Sequence, residues 1–123
     1  VLHRRRGRAG GRGTTTVATM TMTGRCLCGE VTYEITGEPI ASGELKTYTE
    51  TGENDDGEYV YRRFCPECGS PIVSELIGPG ILSVKVGTLD DTSAIAPTAE
   101  VWCVDRQPWV ELPGMAISLE REG

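Results

Sequence analysis

Four of the five cysteines fall in two tight pairs, Cys26-Leu27-Cys28-Gly29 and Cys65-Pro66-Glu67-Cys68-Gly69, with 36 residues between them. That is the layout of a single tetrahedral thiolate metal site, and it holds an early part of the chain against its middle. Four thiolates saturate a zinc ion, whereas a catalytic zinc keeps three protein ligands and an open position for water or substrate. By that count, Cys26, Cys28, Cys65 and Cys68 are expected to hold one structural zinc ion.

Two disulfides are the competing reading. Cysteines separated by one residue are poorly placed to bridge each other, because a disulfide needs Cα atoms roughly 4.4–6.8 Å apart with converging Cβ vectors. Bridges between the two pairs would need an oxidising compartment. No apolar signal stretch lies near the first residue to deliver the chain to one, so a cytoplasmic location is expected. Iron competes with zinc, since Cys-Pro-x-Cys-Gly is also similar to a rubredoxin knuckle; the one-residue spacer of the first pair favours zinc. In the second pair, Gly69 can take a positive φ that turns backbone N–H groups back toward the sulfurs, and such donors stabilise thiolates.

A chain of 123 residues with 38 % apolar content builds one modest core. A structural zinc contributes about 10–16 kcal/mol, comparable to the whole stability of about 5–15 kcal/mol of a domain, so metal decides whether such a chain folds. Charge is divided unevenly. Arg4, Arg5, Arg6, Arg8 and Arg12 occur in the first 20 residues without an acid, while residues 21–123 carry seven basic and 18 acidic side chains, a balance of −11. That acidic body repels polyphosphates and argues against specific nucleic-acid binding. No run of about 20 apolar residues is present to span a membrane. The oligomeric state is not legible.

Residues 1–23 read as a disordered basic head, since their Gly, Arg and Thr offer no apolar face to bury. The head is Arg-rich like an organelle transit peptide but lacks the amphipathic face, and a genuine basic tail is a second reading. The favoured expectation is that Met20 or Met22 is the working start. His3, the one histidine, lies in this head and is not expected to be a ligand.

From residue 24 to 123 the pattern is that of a β domain. Glu30 to Thr36 alternates, with Val31, Tyr33 and Ile35 on one face, and Gly37-Glu38-Pro39 is expected to end that strand. Further strands are expected over Leu45–Glu50, Glu58–Arg63, Ile72–Ile77, Ile81–Val86 and Glu100–Val104, separated by Gly, Pro, Asn and Asp clusters. No convincing helix emerges. Glu53-Asn54-Asp55-Asp56-Gly57 reads as a solvated hairpin tip rather than a calcium site. Both cysteine pairs then lie at strand ends, and one metal clips a long loop closed where the core is thin.

These residues carry a resemblance. Gly24-Arg25-Cys26-Leu27-Cys28-Gly29-Glu30-Val31-Thr32-Tyr33-Glu34, Leu45-Lys46-Thr47-Tyr48 and Phe64-Cys65-Pro66-Glu67-Cys68-Gly69-Ser70-Pro71 resemble the glutathione-dependent formaldehyde-activating family. So do Val84-Lys85-Val86-Gly87-Thr88-Leu89-Asp90-Asp91, Pro97-Thr98-Ala99-Glu100-Val101-Trp102 and Arg106-Gln107-Pro108-Trp109-Val110. The resemblance covers about residues 24–114. It implies a zinc-bearing β-tent of small, mostly antiparallel sheets, and carbon–sulfur lyase chemistry on the adduct of glutathione with formaldehyde. It also implies two metals: a structural zinc on the cysteines matching Cys26, Cys28, Cys65 and Cys68, and a catalytic zinc on a separate Cys-His-Cys-x-x-Cys motif.

That second motif is absent. The chain passes from Gly37-Glu38-Pro39-Ile40 through Ala41-Ser42-Gly43-Glu44 directly to Leu45-Lys46-Thr47-Tyr48. No other residues reproduce an open zinc that activates its ligand, so no catalytic residue is assigned. Cys103 is expected to be a small buried hydrophobe in the strand Glu100–Val104, with a thiol made reactive by Arg106 as the alternative, and Trp102 and Trp109 are expected to be core aromatics, with the lining of a glutathione groove as the alternative. Two functions remain: a zinc-stabilised domain with impaired or absent catalysis that binds glutathione or a small thiol adduct, and an active carbon–sulfur lyase using a site not recognised here.

Overall fold

The computed structural model describes residues 2–4, 21–36, 38–51 and 57–121. The chain divides into two units, residues 1–92 and 93–123. Among the described residues there is no α-helix, and no helix is long and apolar enough to cross a membrane.

The first unit holds strands β1 (Leu2–Arg4), β2 (Met22–Arg25), β3 (Thr32–Thr36), β4 (Glu38–Ser42), β5 (Lys46–Thr51), β6 (Glu58–Phe64), β7 (Pro71–Leu76) and β8 (Ile81–Val84). They form a three-stranded sheet in the order β2-β3-β4 and a five-stranded sheet in the order β1-β8-β7-β6-β5, antiparallel throughout. This is the mainly β architecture of small antiparallel sheets that the alternating pattern predicts.

The first predicted strand shows why. Val31, Tyr33 and Ile35 are buried while Thr32, Glu34 and Thr36 are exposed, so one face of the pleat takes the apolar set. The strand begins at Thr32, because Glu30 and Val31 belong to the loop that closes behind Cys28. The strand ends at Thr36 as expected, and Gly37 lies outside the described residues; the chain returns at once as β4, with Thr36 opposite Glu38 and Ile35 opposite Pro39. A proline is tolerated there because β4 is an edge strand. β2 is another strand the local pattern does not announce, as is β1, which falls in the head read as disordered. The four residues of β2 pair Met22 to Ile35 and Arg25 to Thr32, so Met22 and Thr23, read as the last residues of the head, open the domain. Leu2–Arg4 pair with β8, Leu2 opposite Ser83 and Arg4 opposite Ile81; residues 5–20 lie outside the described residues. The acidic tip also lies outside them but for Gly57, although β5 and β6 converge on it, Thr51 opposite Glu58.

The apolar core is small. It comprises Cys26, Val31, Tyr33, Ile35, Val60, Cys65, Ile72, Leu82, Val84 and Leu89, and the most completely buried of these are Val31, Cys26 and Cys65. Two of the four paired sulfurs therefore sit at the best-packed point of the unit. Buried Ser74 is the polar exception. The segment after β8 closes onto β2: Asp90 N–H donates to the Thr23 carbonyl at 2.9 Å, Gly24 bridges to Leu89, and Tyr33 Oη meets Thr88 Oγ1 at 2.7 Å.

The second unit corrects three expectations. The strand expected over Glu100–Val104 ends at its first residue: β9 (Ala99–Glu100) pairs in parallel with β10 (Ile117–Ser118), and Cys103–Asp105 is a 3₁₀ turn entered through Trp102 at φ 60°. Cys103 is half-buried rather than enclosed in a strand. Trp102 and Trp109 are not core aromatics, being 39 % and 79 % exposed. The physical reason is the partner. A two-residue ladder supplies no sheet face against which Val101, Trp102 and Val104 could pack, and an apolar run of this length is compatible with several local structures.

Candidate metal centre

Each cysteine pair is mounted on a glycine-ended turn, and the two turns are closed by similar backbone bonds, the glycine N–H reaching back three residues in the first and four in the second. In the first, Cys26 N–H donates to the Val31 carbonyl at 2.9 Å and Gly29 N–H to the Cys26 carbonyl at 3.2 Å. In the second, Cys65 N–H donates to the Ser70 carbonyl at 3.0 Å and Gly69 N–H to the Cys65 carbonyl at 2.9 Å. Gly29 and Gly69 stand at φ 83° and 74°, the left-handed region in which a β-carbon is strained. The turn that brings each pair of sulfurs to one side therefore depends on the glycine that ends it.

The first turn leads into β3 and the second joins β6 to β7, and the sheets bring the two together. All four Sγ atoms lie within 4.8 Å of one another. Cys26 and Cys28 sulfurs are 3.4 Å apart, and Cys28 and Cys65 sulfurs 3.7 Å. These separations far exceed the roughly 2.05 Å of a disulfide bond. They approach the spacing of about 3.8 Å that tetrahedral geometry requires of sulfurs each about 2.3 Å from one zinc. The donor set thus fits a zinc or another thiophilic ion, which Cys26, Cys28, Cys65 and Cys68 would hold.

Hydrogen bonds prepare the sulfurs unequally. Val31 N–H reaches Cys26 Sγ at 3.3 Å. Cys68 is held well below the ordinary thiol range, at about 5, first by the Ser70 hydroxyl at 3.1 Å and then by the backbone N–H groups of Ser70 and Cys28. Cys28 is pushed up to about 12: the Glu30 N–H favours its thiolate, but the adjoining Cys26, Cys68 and Cys65 sulfurs and desolvation outweigh it. Without metal such a cluster shares protons among its sulfurs; a divalent cation displaces them. Cys26 and Cys65 are buried, Cys68 is half-buried and Cys28 is exposed.

The sequence reading brought all four sulfurs together and anticipated the backbone donors behind Gly69, but it missed the side-chain support. The Ser70 hydroxyl, which also accepts from Leu27 N–H at 3.1 Å, carries no sequence signal beyond its place directly after Cys68-Gly69. Among the described residues no other group of three His, Cys, Asp or Glu side chains is brought within metal-binding distance. The stretch between β3 and Leu45, from which the family's second cysteine motif is missing, holds among its described residues only β4 and the start of the link of residues 43–45 to β5. Gly43 there has φ 104°, and a β-carbon on it would stand 2.6 Å from the Glu30 carbonyl, so this short link is packed directly on the first cysteine loop.

Residues 39–105 match the family described as glutathione-dependent formaldehyde-activating enzyme, a span of more than half the chain that includes Cys65 and Cys68. Comparison with curated proteins gives no match.

Proposed function

The chain belongs to the glutathione-dependent formaldehyde-activating family, and from that premise we propose that it is a zinc-stabilised domain whose metal is architectural. Cys26, Cys28, Cys65 and Cys68 are the zinc ligands. The observation that carries this reading is the convergence of four sulfurs within 4.8 Å of one another, two of which, on Cys26 and Cys65, belong to the most buried residues of the first unit. Four thiolates leave no position for water or substrate, and a zinc so enclosed contributes folding energy rather than a nucleophile. The chemistry of the family name needs a thiolate held beside the formaldehyde carbon while the carbon–sulfur bond forms or breaks. Outside the four ligands this chain has one cysteine, Cys103, and one histidine, His3, too few to supply a second Cys-His-Cys-x-x-Cys set.

The domain retains affinity for glutathione or a small thiol adduct without turning it over. An open cleft of about 480 Å³ in the first unit, lined by Thr23, Arg25, Thr32, Glu34, Ser42 and Asp90, is large enough for a tripeptide and presents both charge signs to a zwitterion. A second cavity, about 110 Å³ and lined by Tyr33, Leu45, Ile72 and Leu82 among others, is too small for one.

The test is exchange between glutathione, formaldehyde and their adduct, followed by NMR on zinc-loaded protein. The expected exchange rate equals the uncatalysed one, while glutathione shifts the amide signals of Arg25 and Asp90. Saturable acceleration that survives Cys103→Ala would overturn the proposal in favour of an active lyase.

A further inference from the structure

We infer that Ser70 is a positioning residue of the metal centre, a hydroxyl relay that ties the first cysteine turn to a sulfur of the second. The inference rests on the reading of the four sulfurs as metal ligands and adds a residue to it.

Chemistry fixes the direction of the relay. The Leu27 amide is a donor only, so Ser70 Oγ, 3.1 Å away, must accept from it. The hydroxyl proton is then free to point at Cys68 Sγ, also 3.1 Å away, which as a thiolate only accepts. One oxygen therefore links residue 27 of the first cysteine turn to residue 68 of the second. Backbone N–H groups of Ser70 and Cys28 also favour the Cys68 thiolate. Those survive side-chain substitution, so the hydroxyl is the part of this donor set that mutation can isolate.

The position of Leu27 explains why the first turn needs such a link. Leu27 is the single spacer between Cys26 and Cys28, and its side chain is 90 % exposed. Nothing apolar holds the tip of that turn; its amide does, through Ser70. The relay has two effects. It sets the separation of the turns before metal arrives, which lowers the ordering cost of closing the site. It also draws charge from the Cys68 sulfur, which changes how strongly that sulfur donates to the ion.

The experiment uses the full chain. Zinc affinity is measured by competition with a chromophoric chelator, and the sulfur-to-metal charge-transfer bands are recorded with Co²⁺ in place of zinc, for wild type, Ser70→Ala and Ser70→Thr. The relay predicts that Ser70→Ala still binds one ion per chain but about 10–100-fold more weakly, with displaced charge-transfer bands. Ser70→Thr, which keeps the hydroxyl, restores both. Wild-type affinity and bands in Ser70→Ala overturn the relay, and so does an equal loss in Ser70→Thr, which would assign the effect to packing. Hydrogen exchange on wild type needs no variant: the Leu27 amide should be protected in the zinc-loaded protein, and exchange at the rate of a free loop refutes the bond. A wild-type protein that binds neither Zn²⁺ nor Co²⁺ overturns the metal reading itself, and the relay with it.

Discussion

Gly24→Ala is the smallest substitution the first unit should fail to absorb. A β-carbon at residue 24 would stand 2.2 Å from both the ring carbon Cζ and the hydroxyl of Tyr33, and 2.5 Å from the Thr88 carbonyl oxygen. All three separations are far inside van der Waals contact. Tyr33 is buried and its hydroxyl is bonded to Thr88, so the ring cannot swing aside without breaking that bond. The lost hydrogen bond costs roughly 0.5–1.5 kcal/mol and the overpacking about 1–3 kcal/mol. Together they destabilise the unit by about 2–4 kcal/mol, and at a few degrees per kcal/mol for a domain of this size the melting temperature falls by about 10 °C. The assay is calorimetry of zinc-loaded protein, with metal analysis alongside. Zinc content should stay at the wild-type level, because the bonds of the first cysteine turn begin at Cys26. Repeating the substitution in a Tyr33→Leu background removes the ring but leaves the Thr88 carbonyl, so the penalty should shrink without vanishing. An unchanged melting temperature, or equal penalties in the two backgrounds, would refute the packing argument.

Two further outcomes follow from the same structure. Cys65→Ser removes a fully buried sulfur and, on the proposed reading, one of the four ligands of an ion that would close the loop from Cys28 to Cys65; it should abolish stoichiometric zinc and the cooperative thermal transition together, and a sharp wild-type-like transition in this variant would show that the metal is not structural. Asp90 is held below its ordinary pKa of 3.8, first by the Arg25 guanidinium at 2.9 Å and then by the Thr23 hydroxyl at 2.8 Å. A depressed folded pKa stabilises above the ordinary carboxylate value and is lost as pH falls through the depressed one, so Asp90→Asn should flatten the acid limb of stability below about pH 4. Equal acid limbs in acid titrations of the two proteins would contradict this; the pair is solvent-exposed, so the effect is small.

How much was legible depended on whether the deciding interaction is local. β3 was read from its alternation because one buried face selects Val31, Tyr33 and Ile35 every second residue. β5 to β8 were found within one or two residues because Gly, Pro, Asn and Asp clusters punctuate them, although β5 is exposed along nearly its whole length. The four sulfurs were legible because ligand spacing on a tight turn is a local property. β2 and β4 were not announced, since a strand of four or five mixed residues exists only through the neighbour it pairs with, here β3 on both sides. The region after Ser93 failed differently: Val101-Trp102-Cys103-Val104 has strand composition, but no sheet receives it. Ser70 was invisible as a functional group because its partners, Leu27 and Cys68, meet only after the sheets have formed. The same holds for the Tyr33–Thr88 bond that makes Gly24 indispensable.

X-ray absorption at the zinc edge of the purified, zinc-loaded protein, combined with metal content per chain, separates a closed four-sulfur centre from an open one. One zinc per chain is expected, with four sulfur neighbours at about 2.3 Å and no oxygen or nitrogen neighbour. A second zinc, or a coordination shell with three sulfurs or fewer and a light atom in the remaining position, would mean an open metal, and the domain would have to be read as an enzyme.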